Sequence, residues 1–145
     1  MICIRSQQSV ALEDVLHLYQ AVGWTNYTNQ PQMLEQALYH SLATYLARDG
    51  EEIVGLVRLV GDGFSSVFVQ DLIVLPSYQR QGIGSNLMKE ALADYKDAYQ
   101  IQLATEQTEK TLGFYRSLGF ETLSTYDCTG MIWVDRKKIK IILLS

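Results

Sequence analysis

Proline and cysteine are both scarce in this chain of 145 residues, with two of each. So few prolines favour a domain made mostly of helices and strands. The two cysteines, Cys3 and Cys128, lie far apart, with no Cys-x-x-Cys spacing and no cluster of cysteine and histidine. This pattern predicts two reduced thiols in the core, a cytoplasmic protein and no metal site; a disulfide between them is the less favoured alternative.

Long apolar runs are also absent. No stretch reaches the roughly 18 consecutive apolar residues that a membrane-spanning helix needs. The N-terminal residues 1–6 lack the basic start, apolar run and cleavage site of a signal peptide. Apolar residues nevertheless make up 48% of the chain and charged residues 19%, which is typical of a globular domain. We therefore predict a single cytoplasmic domain with no membrane segment.

Positive charge is scarce over most of the chain. The net charge is −4, but residues 136–145 carry four basic residues and no acid, so residues 1–135 carry −8. An acidic body argues against a nucleic-acid partner and mildly favours a cationic small substrate, although ordinary solvated surface is the slightly stronger interpretation. The basic and apolar tail 136–145 is predicted to lie outside the domain, as an extra edge strand, a dimer contact or a disordered end.

Hydrophobic spacing predicts an α/β fold with a mixed central sheet and helices on both faces, in the order β-α-α-β-β-β-α-β-α-β-β. The predicted strands are 2–5, 43–48, 53–60, 66–75, 101–104, 120–126 and 131–134, and the predicted helices are 10–22, 31–40, 83–95 and 108–118. The strand 66–75 is nearly all apolar, which is typical of a central strand. Its connection through a helix to 101–104 predicts that these two strands are parallel.

A loop with two glycines joins this central strand to the next helix. It reads Gln79-Arg80-Gln81-Gly82-Ile83-Gly84. The first amides of a helix have no internal partners and carry partial positive charge, and glycine lets a phosphate approach the backbone closely. The third glycine of a dinucleotide fingerprint and the lysine of a P-loop are both absent. We predict a phosphate-binding turn of another kind, against the alternative of a glycine turn without a ligand.

Two motifs, in this order, resemble those of the GNAT N-acyltransferase superfamily. Gln79-x-x-Gly82-x-Gly84, which follows the strand residues Leu72–Pro76, is similar to the cofactor-binding signature of that family. The segment Phe114–Phe120, Phe-Tyr-Arg-Ser-Leu-Gly-Phe, is similar to its C-terminal Tyr-x-x-x-Gly-Phe. The order of elements before them also matches, so the resemblance covers residues 1 to about 135 as one domain. It implies an acetyl-CoA-dependent N-acetyltransferase in which a primary amine of a small molecule or a peptide attacks directly.

The resemblance also implies which residues hold acetyl-CoA. The pyrophosphate would lie on the amides of about Arg80 to Ser85, and the pantetheine arm beside the Leu72–Val74 strand, where the parallel strands must splay apart around Val74 and Ile101. The implied cofactor-binding residues are Leu72, Ile73, Val74, Gln79, Arg80, Gln81, Gly82, Ile83, Gly84, Ser85, Thr108 and Tyr115. Thr108 stands where many family members have asparagine, so a contact with pantetheine and a helix cap are both open at that position.

Acyl transfer requires a neutral amine, a stabilised oxyanion and a protonated leaving thiolate. By the resemblance, Tyr115 is the acid for the thiolate, with a core tyrosine as the alternative, and a backbone amide near Ile73 or Val74 is the oxyanion donor. Asp71 is a carboxylate in an otherwise apolar strand, which predicts a base or an amine binder. A carboxylate that orients the neighbouring loop is an equal alternative, and ordered water can replace a base. Strand alternation predicts that Asp71 shares a face with Val69 and Ile73.

The acceptor side is predicted from aromatic residues. Trp24 lies in the loop where the family places acceptor-binding residues, and Trp24, Tyr27 and Tyr45 could form a wall that holds a cation or an aromatic amine. A tryptophan that closes the edge of the core is an alternative of at least equal weight.

Two other functions compete with the transferase. One is a non-catalytic acyl-CoA-binding regulator on the same fold, against which Tyr115 and Asp71 argue, since a sensor needs neither. The other is a nucleotide-binding domain of another class, against which the missing glycine and lysine argue. Family members often dimerise, so a homodimer is compatible with the resemblance, and neither the acceptor nor the oligomeric state follows from the sequence.

Overall fold

The computed structural model describes residues 1–135. Its strands are β1 (Ile2–Gln7), β2 (Ala43–Asp49), β3 (Glu52–Gly61), β4 (Ser66–Val74) and β5 (Gln100–Leu103). Its helices are α1 (Leu12–Ala21), α2 (Thr25–Thr28), α3 (Pro31–Tyr39), α4 (Ile83–Asp94) and α5 (Glu109–Ser117), with 3₁₀ turns at Pro76–Tyr78 and Leu123–Tyr126.

The five strands form one mixed sheet in the order β1-β2-β3-β4-β5. The first four strands pair antiparallel. The three helices α1 to α3 connect β1 to β2, the two-residue turn Gly50-Glu51 connects β2 to β3, and residues 62–65 connect β3 to β4. The last pair, β4 and β5, is parallel and is joined by α4. The predicted mixed sheet and its βαβ unit are therefore confirmed.

Helices cover both faces of the sheet, as predicted. On one face, α1, α2 and α3 enclose a core that contains Leu18, Leu34, Leu38, Leu56 and Ile73. On the other face, α4 packs on Val57, Leu59 and Val67 through Leu87 and Met88. The stretch 24–30, which lies between two predicted helices, contains the short helix α2, whose Tyr27 is buried in the first core.

A β-bulge in β4 reverses the alternation of its side chains. Arg58 of β3 pairs with Asp71, but the next residue, Leu59, pairs with Val69, so Gln70 is the additional residue. Val69 consequently lies in the core beneath α4, whereas Ile73 lies in the core beneath α1 and Asp71 bonds to side chains from α1 and α2. The prediction that Asp71 shares a face with Ile73 is correct, and the prediction for Val69 is wrong because strict alternation takes no account of the bulge.

The predicted final pair of strands is wrong. Leu123–Tyr126 is a 3₁₀ turn, and residues 127–135 have no regular structure. Met131, Ile132 and Trp133 are exposed instead of paired. Their β-branched and aromatic composition suits a pleated surface, but composition does not supply a neighbouring strand. The predicted tail, 136–145, lies outside the described residues.

Both cysteines are free and exposed, so the prediction of two core thiols is wrong. Cys3 lies on the edge strand β1, and Cys128 follows the 3₁₀ turn near the end of the described residues. None of the helices within residues 1–135 has the length and apolar character needed to cross a bilayer. The same residues contain no group of three or more histidine, cysteine and acidic side chains that could hold a metal ion.

Gly55 sets how closely α4 packs on the sheet. A Cβ atom at Gly55 would lie 3.0 Å from the carbonyl oxygen of Ile73 and 3.2 Å from Cδ1 of Leu87. We expect Gly55→Ala to lower the free energy of unfolding by about 1–3 kcal/mol through overpacking. Gly113→Ala is the control, because Gly113 lies in α5 with no atom within 4 Å of its would-be Cβ. Urea denaturation should show that variant to be stabilised by up to about 1 kcal/mol; equal stability of both variants would contradict the packing argument.

Candidate active site

A groove of about 580 Å³ runs between the end of β4, the start of α4 and one side of α5. Its wall is apolar along β4, whereas α5 contributes both polar and aromatic side chains and the loop before α4 is mostly polar. The lining residues are Leu72, Val74, Tyr78, Gln79, Arg80, Gly82, Ile83, Gly84, Ser85, Lys110, Thr111, Phe114 and Tyr115. It joins the two motifs that the sequence analysis singled out.

The edge of β4 beside this groove is unpaired. Hydrogen bonding between β4 and β5 runs from Ser66 opposite Gln100 to Val69 opposite Leu103 and ends there. Within the described residues, the part of β4 after Val69 therefore has no strand on its β5 side, and its backbone groups on that side are available to a ligand. The splay was predicted around Val74 and Ile101, but Ile101 is still paired, with Val67, so the opening begins just beyond it.

The loop before α4 directs backbone amides toward the groove. Arg80 and Gly82 have positive φ angles of 65° and 79°, and Gly82 is the N-cap residue that precedes α4. The first helical amide to bond within the helix is that of Asn86, which donates to the carbonyl oxygen of Gly82. The amides of Ile83 to Ser85 thus point out of the helix end, where the helix dipole favours an anion.

Two side-chain contacts hold this loop in place. The hydroxyl of Tyr78 donates to Oδ2 of Asp49 at 2.7 Å, and this bond lowers the pKa of the Asp49 carboxyl. Nε2 of Gln79 donates to the carbonyl oxygen of Val74 at 3.2 Å. Gln79 is one of the implied cofactor-binding residues, and in this structure its side-chain amide ties the loop to the end of β4.

The two glycines of the motif have different surroundings. A Cβ atom at Gly82 would meet no atom within 4 Å, so this glycine is needed for its positive φ and leaves its surface open. A Cβ atom at Gly84 would lie 3.6 Å from Cγ2 of Val74 and 3.7 Å from Cζ of Phe114. Gly84 therefore forms the floor where β4 and α5 come together, and a larger side chain there would fill the groove.

Tyr115 lies on the α5 side of the groove. Its ring makes edge contacts with Phe114 and Phe120, with centroids 5.0 and 5.9 Å apart. Burial raises the pKa of the Tyr115 hydroxyl, which keeps it protonated at neutral pH. That hydroxyl makes no hydrogen bond to any residue of 1–135, so its proton is available to a ligand in the groove.

Most of the predicted cofactor-binding residues line this groove, and three do not. Ile73 is 1% exposed and its side chain lies in the core beneath α1. Gln81 is exposed at the loop and is not part of the lining. Thr108 caps α5, where its Oγ1 accepts the amide N–H of Thr111 at 3.1 Å, which matches the capping alternative.

Sequence reasoning missed four lining residues. Tyr78 comes from the 3₁₀ turn, and Lys110, Thr111 and Phe114 come from the first turns of α5. The signal for the α5 residues was available, because helical spacing places them on the same side as Tyr115. With Arg80, Lys110 gives the groove two basic side chains.

Asp71 is the centre of a buried hydrogen-bonded cluster. Its Oδ2 accepts from Nε of Arg58 at 2.7 Å and from the Tyr19 hydroxyl at 2.8 Å, and its Oδ1 accepts from the Tyr27 hydroxyl at 2.7 Å. Asp71 and Arg58 are each 3% exposed. Burial and the negative charge of Asp71 raise the pKa values of Tyr19 and Tyr27. Both carboxylate oxygens are engaged and shielded from solvent, so this geometry gives no support to the predicted base or amine-binding role.

The aromatic residues of the predicted acceptor side divide between the two cores. Tyr27 packs against Tyr19 and Trp24, with ring centroids 5.1 and 6.2 Å apart, and Trp24 is half-buried. Tyr45 lies in the opposite core, where its hydroxyl donates to Oδ2 of Asp94 at 2.6 Å. Trp24 and Tyr27 can therefore belong to one wall, and Tyr45 cannot.

The family model that matches this chain and three of the proteins similar to it all belong to the acetyltransferases. Residues 40–122 match the model of the acetyltransferase (GNAT) domain. A solved GNAT-family acetyltransferase from Streptococcus pneumoniae TIGR4 is 76% identical, with a TM-score of 0.86, over 94% of this chain and 99% of that one. The GCN5-related N-acetyltransferase 1, chloroplastic, of Arabidopsis thaliana is 27% identical over 94% of this chain and 68% of its own length. A GNAT-family acetyltransferase from Elizabethkingia anophelis, solved with acetyl-CoA bound, is 22% identical and shares the fold, with a TM-score of 0.62 over 83% of this chain and 76% of that one.

The Arg58–Asp71 pair allows a test of the structural role of the carboxylate. Asp71→Leu leaves the guanidinium buried without its partner, and we expect it to lower the free energy of unfolding by about 3–5 kcal/mol. Arg58→Met combined with Asp71→Leu removes both charges and should recover most of that loss. Urea denaturation of wild type, the single variant and the double variant measures this difference. If the single and double variants lost the same free energy of unfolding, the cost of Asp71→Leu would not come from leaving the Arg58 charge unpaired.

Proposed function

Because the chain belongs to the GNAT family of acetyltransferases, we propose that it transfers the acetyl group of acetyl-CoA to a primary amine of a small molecule or a peptide. One observation carries the proposal: a single groove has helix-end amides at one end, an unpaired strand edge along its length and Tyr115 in its wall. We also propose that residues 1–135 form one acyltransferase domain. A non-catalytic acyl-CoA-binding regulator is not favoured, because the named relatives are acetyltransferases.

The residues present fit acetyl-CoA in two parts. The amides of Ile83 to Ser85 suit its pyrophosphate, with the side chain of Arg80 at the same end of the groove. The free edge of β4 at Leu72–Val74 suits the amide-containing pantetheine arm, which can pair with it as a strand would. The solved relative with acetyl-CoA bound supports this assignment at the level of the fold. Bound acetyl-CoA supplies the activated thioester.

The chain itself contributes two groups to the transfer step. A neutral amine attacks the thioester carbonyl carbon, and the oxygen gains negative charge that a backbone N–H of the unpaired β4 edge near Ile73 or Val74 can stabilise. When the C–S bond breaks, the Tyr115 hydroxyl donates its proton to the departing thiolate. The new amide and free coenzyme A are the products, and the tyrosinate regains a proton from the amine nitrogen through solvent.

The acceptor is proposed to approach beside Trp24 and Tyr27. These rings pack as one cluster with Tyr19 on the sheet face opposite α4. An aromatic wall of this kind suits a cation or an aryl group. Asp71 supports this wall through the Tyr19 and Tyr27 hydroxyls, and the structure gives it no free oxygen for proton transfer, so ordered water is the better proposal for the base.

A glycine variant tests where acetyl-CoA binds. Gly84→Leu places a branched side chain between Val74 and Phe114, so we expect acetyl-CoA affinity measured by calorimetry to fall at least tenfold. Asn86→Leu, an exposed change two residues further along α4, should bind as wild type does. Circular dichroism confirms that both variants fold. Full binding by Gly84→Leu would remove the groove as the cofactor site, and absence of binding by wild type would refute the proposed function.

A tyrosine variant tests the acid. Tyr115→Phe keeps the ring and removes the proton, and we expect kcat to fall by roughly 10²-fold or more while the KM for acetyl-CoA is unchanged. Because burial raises the Tyr115 pKa above its ordinary value near 10, the protonated acid persists at higher pH. Wild-type kcat, corrected for spontaneous thioester hydrolysis, should therefore show almost no loss from this group between pH 7 and 9. An unchanged kcat in Tyr115→Phe would mean that solvent, and not Tyr115, protonates the departing thiolate.

A further inference from the structure

The hydrogen-bonded cluster around Asp71 ends at an exposed side chain beside the opening in the sheet. We propose that this side chain, Gln70, orients the acceptor amine by accepting one of its N–H groups at Oε1. The inference rests on the proposed function and adds a residue that contacts the acceptor. It also assigns the Arg58–Asp71 pair a positioning role. Both members of that pair hydrogen-bond to the Tyr27 hydroxyl, which in turn holds the Gln70 amide.

Gln70 is placed by the bulge. It is the additional residue of β4, and it follows directly on Val69, the last residue of β4 that pairs with β5. Its side chain is exposed, whereas Val69 and Asp71 on either side are buried. A polar amide therefore stands at the point where the two parallel strands begin to separate.

The hydrogen bonds of Tyr27 determine which way this amide faces. The Tyr27 hydroxyl has one proton, which it donates to Oδ1 of Asp71 at 2.7 Å, and it accepts a bond from Nη2 of Arg58 at 3.2 Å. Toward Gln70 the hydroxyl can only accept, because its proton is already committed. Gln70 must present Nε2, which lies 3.4 Å from the hydroxyl oxygen, and its Oε1 is the atom left for another partner.

An acceptor oxygen at this point matches what the reaction requires. A neutral primary amine has two N–H groups and one lone pair, and the lone pair must point at the carbonyl carbon. One N–H held by Oε1 of Gln70 restricts the rotation of the amine without consuming the lone pair. A carboxylate at this position would instead favour the ammonium form, which has no lone pair with which to attack.

The two reactants would then reach the opening from opposite faces. The groove for acetyl-CoA lies on the α4 side of the sheet, whereas Gln70 bonds to Tyr27, which belongs to the α1–α3 side. Trp24 packs against Tyr27 on that same side. The proposed amine contact is thus next to the aromatic wall and separate from the cofactor groove.

The test compares Gln70→Met with Gln36→Met in steady-state kinetics. Gln36 is an exposed glutamine of α3, so its variant controls for the change of residue type. The amines are 2-phenylethylamine, Nα-acetyllysine methyl ester with its free ε-amine, and a tripeptide with an N-terminal alanine, and the readout is release of the thiol of coenzyme A. For each amine that wild type acetylates, we expect Gln70→Met to raise the amine KM about tenfold, with the KM for acetyl-CoA unchanged.

A second variant separates orientation from simple contact. Tyr27→Phe keeps Gln70 but removes the hydroxyl that fixes its amide, and it should raise the amine KM by a smaller factor. An unchanged amine KM in Gln70→Met would overturn the inference, as would an equal rise in the KM for acetyl-CoA, which a structural role of the bulge would produce. If wild type binds acetyl-CoA but acetylates none of the three amines, the proposed function fails first and the inference fails with it.

Discussion

The arrangement of the site depends on a buried ion pair between neighbouring strands. Arg58 and Asp71 face each other across β3 and β4 at the position where the register shifts. Two ionised groups taken out of water are costly unless each is paired and hydrogen-bonded. Here Asp71 receives three hydrogen bonds, and Arg58 also bonds to Tyr27 and to Oγ of Ser41. This set of partners ties the second half of β4 to β3, α1 and α2.

The edge of β4 that faces β3 is paired along the strand, whereas, within residues 1–135, the edge that faces β5 is unpaired after Val69. The bulge at Gln70 comes one residue after the last bonded pair of β4 and β5, so the register of β4 against β3 shifts where its pairing with β5 ends. A central strand normally has both edges paired, and an unpaired stretch needs another partner for its backbone groups. The groove beside Leu72 and Val74 lies along this stretch, so the proposed cofactor site lies next to a local irregularity of the sheet.

The sequence predicted the features that follow from local patterns. Hydrophobic spacing and the apolar strand before Pro76 were sufficient for the five-stranded sheet, the βαβ unit and the helices on both faces. The glycine loop was recognisable because a left-handed conformation at Gly82 requires a particular residue type. The final pair of strands was wrong, because its alternation shows suitability for a sheet and does not provide a partner.

The role of Asp71 could not be read from the sequence for a different reason. An acid in an apolar strand is either a reactive group or a paired structural group, and only its partners distinguish the two. Those partners come from positions 13, 44 and 52 residues away in the chain, and none of them forms a local motif with it. Arg58 and Tyr19 could therefore not be assigned to the cluster from the sequence.

The two proposed reactant sites also differ in whether a local sequence motif or side chains distant in the sequence form them. The proposed cofactor site is built mainly from backbone amides and a strand edge, so its requirements appear in the sequence as glycines and as fixed spacing. The proposed acceptor site is built from the side chains of Trp24, Tyr27 and Gln70, which reach one place from α2, the turn before it and a bulge in β4. Such a combination imposes no spacing rule, and any of its members can change without disturbing the glycine loop. In a chain of this family, the acetyl-CoA site can therefore be predicted from sequence motifs, whereas the choice of amine can be predicted only from a structure that places the side chains.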